Sequence, residues 1–186
     1  MSHRVCPWWL GYLLACPLRR WLQNPSTILS PYVHEGMTVL EPGPGMGFFT
    51  IDLARIVGPT GRVVTVDIQP KMVSNLKRRV ANAGLLARID ARLAKPDSME
   101  IADLDGAVDF TLAFALVHEM PSAEIFFSEA AKASKPGAKL LLCEPAGHVK
   151  DKAFDDEIAA AEKAGFKVVA RPTMKRSHAA VLQKPN

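Results

Sequence analysis

The 186-residue chain has little cysteine and tyrosine, with three residues of the first and two of the second. Cys6, Cys16 and Cys143 form neither an even set nor a C-x-x-C pair, so a disulfide-stapled scaffold is not indicated and a reducing compartment is expected. His3 and Cys6 stand three apart, with Cys16 ten further on. Thiolates bind soft metals and metalloids, but without paired cysteines the spacing assigns no metal ligands. Long apolar runs are missing too. The strongest, Val5–Leu18, covers fourteen positions and is punctuated by Pro7, Gly11 and Pro17. That is too short for a bilayer helix, so no membrane span is expected. A P-loop is excluded because no Gly-Lys-Ser or Gly-Lys-Thr is present. Repeats and low-complexity stretches are also lacking.

What is present is an ordinary globular composition, 48% hydrophobic and 23% charged, in a length that suits one domain with a well-buried core. The net charge of +4 and a pI near 9.1 are mildly basic. Arg19-Arg20 and Lys77-Arg78-Arg79 would attract phosphates, or are simply solvated helix faces. A nucleic-acid partner therefore stays open beside a small-molecule one.

The most informative stretch is Val39-Leu40-Glu41-Pro42-Gly43-Pro44-Gly45-Met46-Gly47-Phe48-Phe49-Thr50. Met37–Leu40 reads as a buried strand after the turn signal Glu35-Gly36, and Phe48–Val57 has apolar positions at helical spacing. A strand, a glycine turn and a helix N-terminus let backbone approach a ligand closely, with N–H groups facing it. The dinucleotide fingerprint G-x-G-x-x-G would need its third glycine at position 48, where Phe48 stands. The spacing is instead E-x-G-x-G-x-G. A second strand, Arg62–Asp67, ends in an acid twenty residues past Gly47. Two readings of Asp67 stand: it accepts hydrogen bonds from ribose hydroxyls, or it caps the helix that opens near Pro70. Ile68 is placed to pack on a flat ring.

The glycine loop resembles motif I of the class I S-adenosylmethionine (SAM) methyltransferases, which wraps the amino acid part of the cofactor. Two later segments extend the likeness. Val108–Met120 is similar to the family's fourth strand and its loop, and Ser134–Pro145 to its Lys-Pro-Gly-Gly turn and fifth strand. The resemblance covers roughly 35–183. It implies SAM as cofactor, S-adenosyl-L-homocysteine as product, and cofactor contacts at Glu41, Gly43, Pro44, Gly45, Met46, Gly47, Asp67, Ile68, Ala113, Phe114 and Ala115. One departure stands out. The family's acid just after the third strand is missing, and the loop reads Arg92-Leu93-Ala94-Lys95-Pro96-Asp97. Asp97 is displaced; it is kept among the implied cofactor contacts or instead caps the next helix, and Ala94 backbone is the substitute contact for adenine. The Asn/Asp-Pro-Pro-Tyr/Phe motif of amino methylation is also missing.

The resemblance further implies an α/β doubly wound sheet of seven mostly parallel strands, in the order 3-2-1-4-5-7-6 with the last strand antiparallel and helices on both faces. The sequence pattern places strands at 37–41, 62–67, 89–93, 108–114, 138–144, 166–171 and 177–183. Helices of 47–57, 70–83, 97–103, 121–133 and 151–164 fill the gaps, with a short one from Asn24 to about Val33 and a stop at Gly165. Residues 35–186 are expected to be the SAM-binding core. Residues 1–34 are expected to form an N-terminal lid in which Trp8, Trp9 and Tyr12 shield the sulfonium and line a substrate pocket. Those aromatics could equally cover core surface or form a contact between copies, so the oligomeric state is open. Met1–Leu18 also imitates a signal peptide, but its short, aromatic-rich apolar core suits export poorly, and SAM is a cytoplasmic metabolite. A cytoplasmic protein is expected.

The loop after the fourth strand faces the methyl group in this family, which singles out His118 and Glu119. A histidine near neutral pKa can deprotonate a hydroxyl, thiol or ammonium acceptor, or it merely holds the loop. His148 lies on the same edge and is assigned to the substrate pocket, whereas His34 and His178 are read as structural or solvent-facing. The leading expectation is methyl transfer to a small or medium-sized acceptor. The alternatives are an NAD-type dehydrogenase, which Phe48 opposes, and a non-catalytic binding subunit of the same fold.

Overall fold

The computed structural model describes residues 23–186. They form two compact units, 23–94 and 95–186. In the first, a short helix α1 (Pro25–Leu29) is capped by Asn24, whose Oδ1 accepts from the Ser26 N–H at 3.1 Å. Three parallel strands follow, β1 (Thr38–Pro42), β2 (Arg62–Asp67) and β3 (Ile89–Leu93), with Val39 opposite Val63 and Asp67 opposite Leu93. Helices α2 (Thr50–Ile56) and α3 (Pro70–Asn82) pack on these strands. The stripe Met72, Leu76 and Val80 of α3 is buried, at i, i+4 and i+8. Burying each such side chain contributes about 1.5–3 kcal/mol.

The second unit holds β4 (Val108–Phe114), α4 (Ala123–Ala133), β5 (Ser134–Pro145), α5 (Asp151–Lys163), β6 (Lys167–Ala170) and β7 (Ser177–Gln183). Strand β5 pairs parallel with β4 and antiparallel with β7, and β7 pairs antiparallel with β6. Ser122 caps α4 by accepting from the Ile125 N–H. At the end of α5, Gly165 N–H bonds to Glu162 O and Phe166 N–H to Ala161 O, a Schellman closure at the expected stop. Phe110, Phe126, Phe127, Leu140 and Leu141 are fully buried in this unit. The seven strands run in the order β3-β2-β1-β4-β5-β7-β6, the Rossmann-like order expected from the sequence.

Three boundaries differ from the sequence reading. Helix α2 starts at Thr50 rather than 47, because Gly43, Gly45 and Gly47 all take positive φ and keep the chain in a turn. The helix expected over 97–103 is absent, and only a 3-10 turn, Ala102–Leu104, forms there. The Glu129 carboxylate on α4 takes the Ser98 hydroxyl at 2.8 Å and the Met99 N–H at 2.7 Å, and Glu100 has φ +55. Side-chain capture of a backbone donor thus competes with the helix. Asp97 accordingly caps nothing and lies exposed in the turn between Lys95 and Ser98. Strand β5 begins at Ser134, which pairs with Val108; the ladder then skips Lys135, Pro136, Gly137 and Ala138, set against Asp109 alone, and resumes at Lys139 opposite Phe110. Pro136 lacks an N–H for the ladder, and the extra residues bulge out of it.

Candidate functional site

In the first unit the glycine loop is fastened at both ends. Gly43 N–H donates to Val66 O and Gly47 N–H to Pro44 O, each at 2.9 Å. Gly45 has φ +54, and a Cβ built there would meet no atom of the described residues within 4 Å, so among them the backbone faces open space. Gly47 has φ +79, and its Cβ would stand 2.5 Å from Leu76 Cδ1, so glycine is needed to seat the loop on α3. Pro44 and Met46 are buried beneath it. The Arg79 guanidinium donates to the Met46 carbonyl and holds the loop from α3.

Glu41 is 3% exposed, and its Oε2 accepts from Thr50 Oγ1 at 2.6 Å. Burial raises its pKa to about 8; the Thr50 bond opposes this only in part. At neutral pH this acid therefore carries a proton, since among the described residues the Thr50 hydroxyl is the one hydrogen-bond donor seen on it.

Asp67 ends β2, and its Oδ1 accepts from the Gln69 N–H at 2.8 Å. Helix α3 has Gln69 as N-cap, with no side-chain capping bond. Asp67 thus makes an Asx-type turn ahead of the helix rather than a helix cap. Beside it, Ile68 and Leu93 are large apolar side chains left 40% and 53% exposed at neighbouring strand ends. The Ala94 N–H is already given to Asp67 O at 3.0 Å.

In the second unit Ala113 is buried at the end of β4, and Ala115 takes φ +53 with its N–H on Cys143 O at 2.7 Å. A left-handed alanine costs on the order of 1 kcal/mol and persists only where its surroundings impose it. Phe114 is half-buried between them. The chain then turns through a 3-10 segment, Val117–Glu119. Glu144 of β5 imposes this loop. Its side chain is wholly buried; Oε1 accepts from the N–H groups of Leu116 at 3.2 Å and Val117 at 2.7 Å, and Oε2 pairs with His118 Nδ1 at 2.6 Å. The pairing holds the proton on Nδ1 and leaves Nε2 with the lone pair. The Glu144 bond raises the His118 pKa against burial, with smaller help from the charges of Glu144, Glu119 and Glu157. Glu119 Oε1 stands 3.9 Å from Nε2, and the exposed His148 ring lies edge-on at 6.1 Å between centroids. His178 bonds Val149 O at 3.1 Å and faces Asp151, while His34 is exposed.

The structure therefore brings Glu41, Gly43, Pro44, Gly45, Met46, Gly47, Asp67, Ile68 and Ala94 to the strand ends of one unit. His118, Glu119, His148, Ala113, Phe114 and Ala115 gather in the other. Trp8, Trp9, Tyr12, Cys6 and Cys16 lie outside the described residues. Among the described residues no group of three or more His, Cys, Asp or Glu could hold a metal, and no helix is long and apolar enough to cross a membrane. Sequence reasoning passed over Glu144, Thr50, Leu93 and Arg79. A lone acid closing the apolar run Leu140–Cys143 was the available signal for Glu144. Arg79 sits i+3 from Leu76, beside the buried stripe rather than on a solvated face.

The profile of the methyltransferase-domain family matches residues 33–180, and the chain belongs to that family. A SAM-dependent methyltransferase from Aquifex aeolicus superposes with a TM-score of 0.83 at 26% identity, covering 96% of this chain and 98% of that one. An arsenite methyltransferase of Halobacterium salinarum is 28% identical over 123 residues, 66% of this chain and 30% of that protein. A ubiquinone/menaquinone biosynthesis C-methyltransferase of Saccharophagus degradans is 30% identical over 141 residues, 74% of this chain and 55% of that protein. The chain thus spans about half the length, or less, of these curated relatives. The family gives S-adenosyl-L-methionine as the cofactor, and the residues present fit it. The open face at Gly45 admits close backbone approach, and the exposed pair Ile68 and Leu93 beside Asp67 suits a flat apolar ring next to a hydroxyl-bearing sugar.

Proposed function

We propose that this protein transfers a methyl group from SAM to a small acceptor whose reacting atom carries a removable proton, with His118 as general base. When bound, the cofactor supplies a methyl group on a positively charged sulfur, an electrophile that needs no further activation. Glu41 and Gly43–Gly47 would hold its amino acid part, Asp67 its ribose, and Ile68 with Leu93 its adenine. Alignment of acceptor and donor carries most of the acceleration, about 7–11 kcal/mol in favourable cases.

The observation that carries the base assignment is the 2.6 Å bond from His118 Nδ1 to a wholly buried Glu144. It fixes the tautomer, directs Nε2 away from the core and stabilises the imidazolium formed when Nε2 takes the acceptor's proton. Glu119 is a neighbour of that nitrogen and His148 a wall of the same surface. A phenolic or other weakly acidic hydroxyl is the favoured acceptor, because His118 Nε2 can take its proton as the methyl group arrives. A thiolate-bound metalloid would draw on Cys6 and Cys16, which lie outside the described residues. Cys143, the cysteine among the described residues, is fully buried with Sγ 3.4 Å from Met174 Sδ. A cytoplasmic location follows from the use of SAM.

The test is transfer of labelled methyl from SAM to a panel of small phenols, thiols and amines. His118→Gln is expected to lower turnover about 10²- to 10⁴-fold without loss of S-adenosylhomocysteine affinity. Equal turnover in the variant refutes the base; failure of S-adenosylhomocysteine to bind refutes the donor.

A further inference from the structure

Three basic residues stand in a row on α3, and they do different things. Lys77 and Arg78 are exposed, and Arg78 Nη2 donates to Asn75 Oδ1 at 3.1 Å. Arg79 is half-buried, three residues past the fully buried Leu76, and its Nη1 donates to the Met46 carbonyl of the glycine loop. That spacing sets Leu76 and Arg79 on one helix face, so both meet the loop from the same side.

The bond fixes one peptide plane. Met46 supplies the carbonyl and Gly47 the N–H of a single rigid unit. Arg79 donates to the carbonyl, and the N–H donates to Pro44 O at 2.9 Å. Leu76 packs against the same peptide, since a Cβ on Gly47 would stand 2.5 Å from its Cδ1. Gly45 and Gly47 both take positive φ, whereas unconstrained glycine samples both signs of φ. Side chains of α3 thus impose one shape on a backbone that has many. In that shape the N–H groups of Gly45 and Met46 have no hydrogen-bond partner among the described residues. Successive unpaired amide donors in a tight turn form an anion-binding arrangement.

We propose that Arg79 is a positioning residue for the cofactor: it locks the Met46–Gly47 peptide and so presents the Gly45 and Met46 N–H groups to the carboxylate of the cofactor's amino acid part. This rests on SAM as the donor. Arg79 gives its hydrogen bond to the protein's own carbonyl and acts through the loop. Ordering the loop before the ligand arrives lowers the cost of binding. The guanidinium charge, held against the loop, favours an anion there as well.

The experiment is calorimetric titration of the full chain with two ligands, S-adenosylhomocysteine and methylthioadenosine, which keeps the adenosine but lacks the amino acid part. Arg79→Met fills similar space and cannot donate. It is expected to weaken S-adenosylhomocysteine about tenfold or more and to leave methylthioadenosine within about twofold. Arg79→Lys, which restores a charged donor, recovers most of the lost affinity. Arg78→Met removes the same charge one position away and changes neither ligand. If Arg79→Met fails to fold, Arg79→Gln, polar at a half-buried position, is read in its place. Hydrogen exchange adds a readout without ligand: the Gly47 N–H exchanges more slowly than those of Gly45 and Met46, and Arg79→Met speeds it. Equal weakening of both ligands makes Arg79 a support of the fold and overturns the proposal. So does S-adenosylhomocysteine affinity unmoved by Arg79→Met, or lowered as much by Arg78→Met. A wild-type chain that binds neither ligand refutes SAM as donor, and the proposal falls with it.

Discussion

Replacing Glu41 by glutamine removes a buried acid that ionises only at a cost, and the size of the effect follows from its surroundings. The acid is buried, and among the described residues one hydroxyl bond, from Thr50 at 2.6 Å, stabilises its charge. Its pKa of about 8 in the folded chain compares with an ordinary 4.5. Because the folded state holds this proton more tightly, the stability it contributes is complete below pH 4.5 and is lost as pH rises to 8. The slope in that window is about 1.4 kcal/mol per pH unit, so the total loss is at most about 5 kcal/mol. That is a large share of the roughly 5–15 kcal/mol that holds a domain together. The glutamine keeps the shape and an acceptor for Thr50 but cannot ionise. Urea unfolding of both proteins at pH 5, 7 and 9 measures the difference. Glu41→Gln is expected to be close to wild type at pH 5 and more stable by several kcal/mol at pH 9. Glu157, buried on α5, and His118 also weaken the fold on the alkaline side, since the raised pKa of each is a stability lost with rising pH. They do so in both proteins and cancel in the comparison. Parallel pH curves for the two proteins would refute the reasoning.

Two further substitutions separate packing from binding. Gly45→Ala is expected to cost about 1 kcal/mol, the strain of alanine at positive φ, yet to weaken S-adenosylhomocysteine binding at least about tenfold, a loss of about 1.4 kcal/mol, because its Cβ enters the open space over the loop. Gly47→Ala is expected to cost more stability, since its methyl also meets Leu76; calorimetric titration together with thermal melts reads both, and an affinity unchanged by Gly45→Ala would contradict the placement. Thr111 is fully buried in β4, with a hydroxyl that has no partner among the described residues. Thr111→Val should stabilise the chain by about 1 kcal/mol, raising Tm by roughly 2–4 °C, and a fall in Tm would show that the hydroxyl is satisfied.

The parts of the fold legible in the sequence are those set by local pattern. Apolar strands bounded by Gly and Pro, and helices with an Asn24 start or a Gly165 stop, fall within a few residues of their expected places. What the sequence hid depends on partners distant along the chain. The helix expected over 97–103 was lost to Glu129, thirty-one residues beyond Ser98. The glycine loop and Asp67 were legible because their spacing is local, and so was His118 as a candidate. Its tautomer was not, because that is set by Glu144, twenty-six residues away. Arg79 looked like one of three solvated basic residues until α3 turned it toward the Met46 carbonyl. The aromatic segment with Trp8, Trp9 and Tyr12 lies outside the described residues and stays a sequence expectation.

Isothermal titration of the full chain with S-adenosylhomocysteine, with NADH titrated in parallel, tests the central claim most directly. The account predicts one molecule of S-adenosylhomocysteine bound per chain, with a dissociation constant in the range of about 1 µM to 1 mM common for enzyme ligands, and no binding of NADH. No heat at millimolar S-adenosylhomocysteine, or saturable binding of NADH in its place, would contradict it.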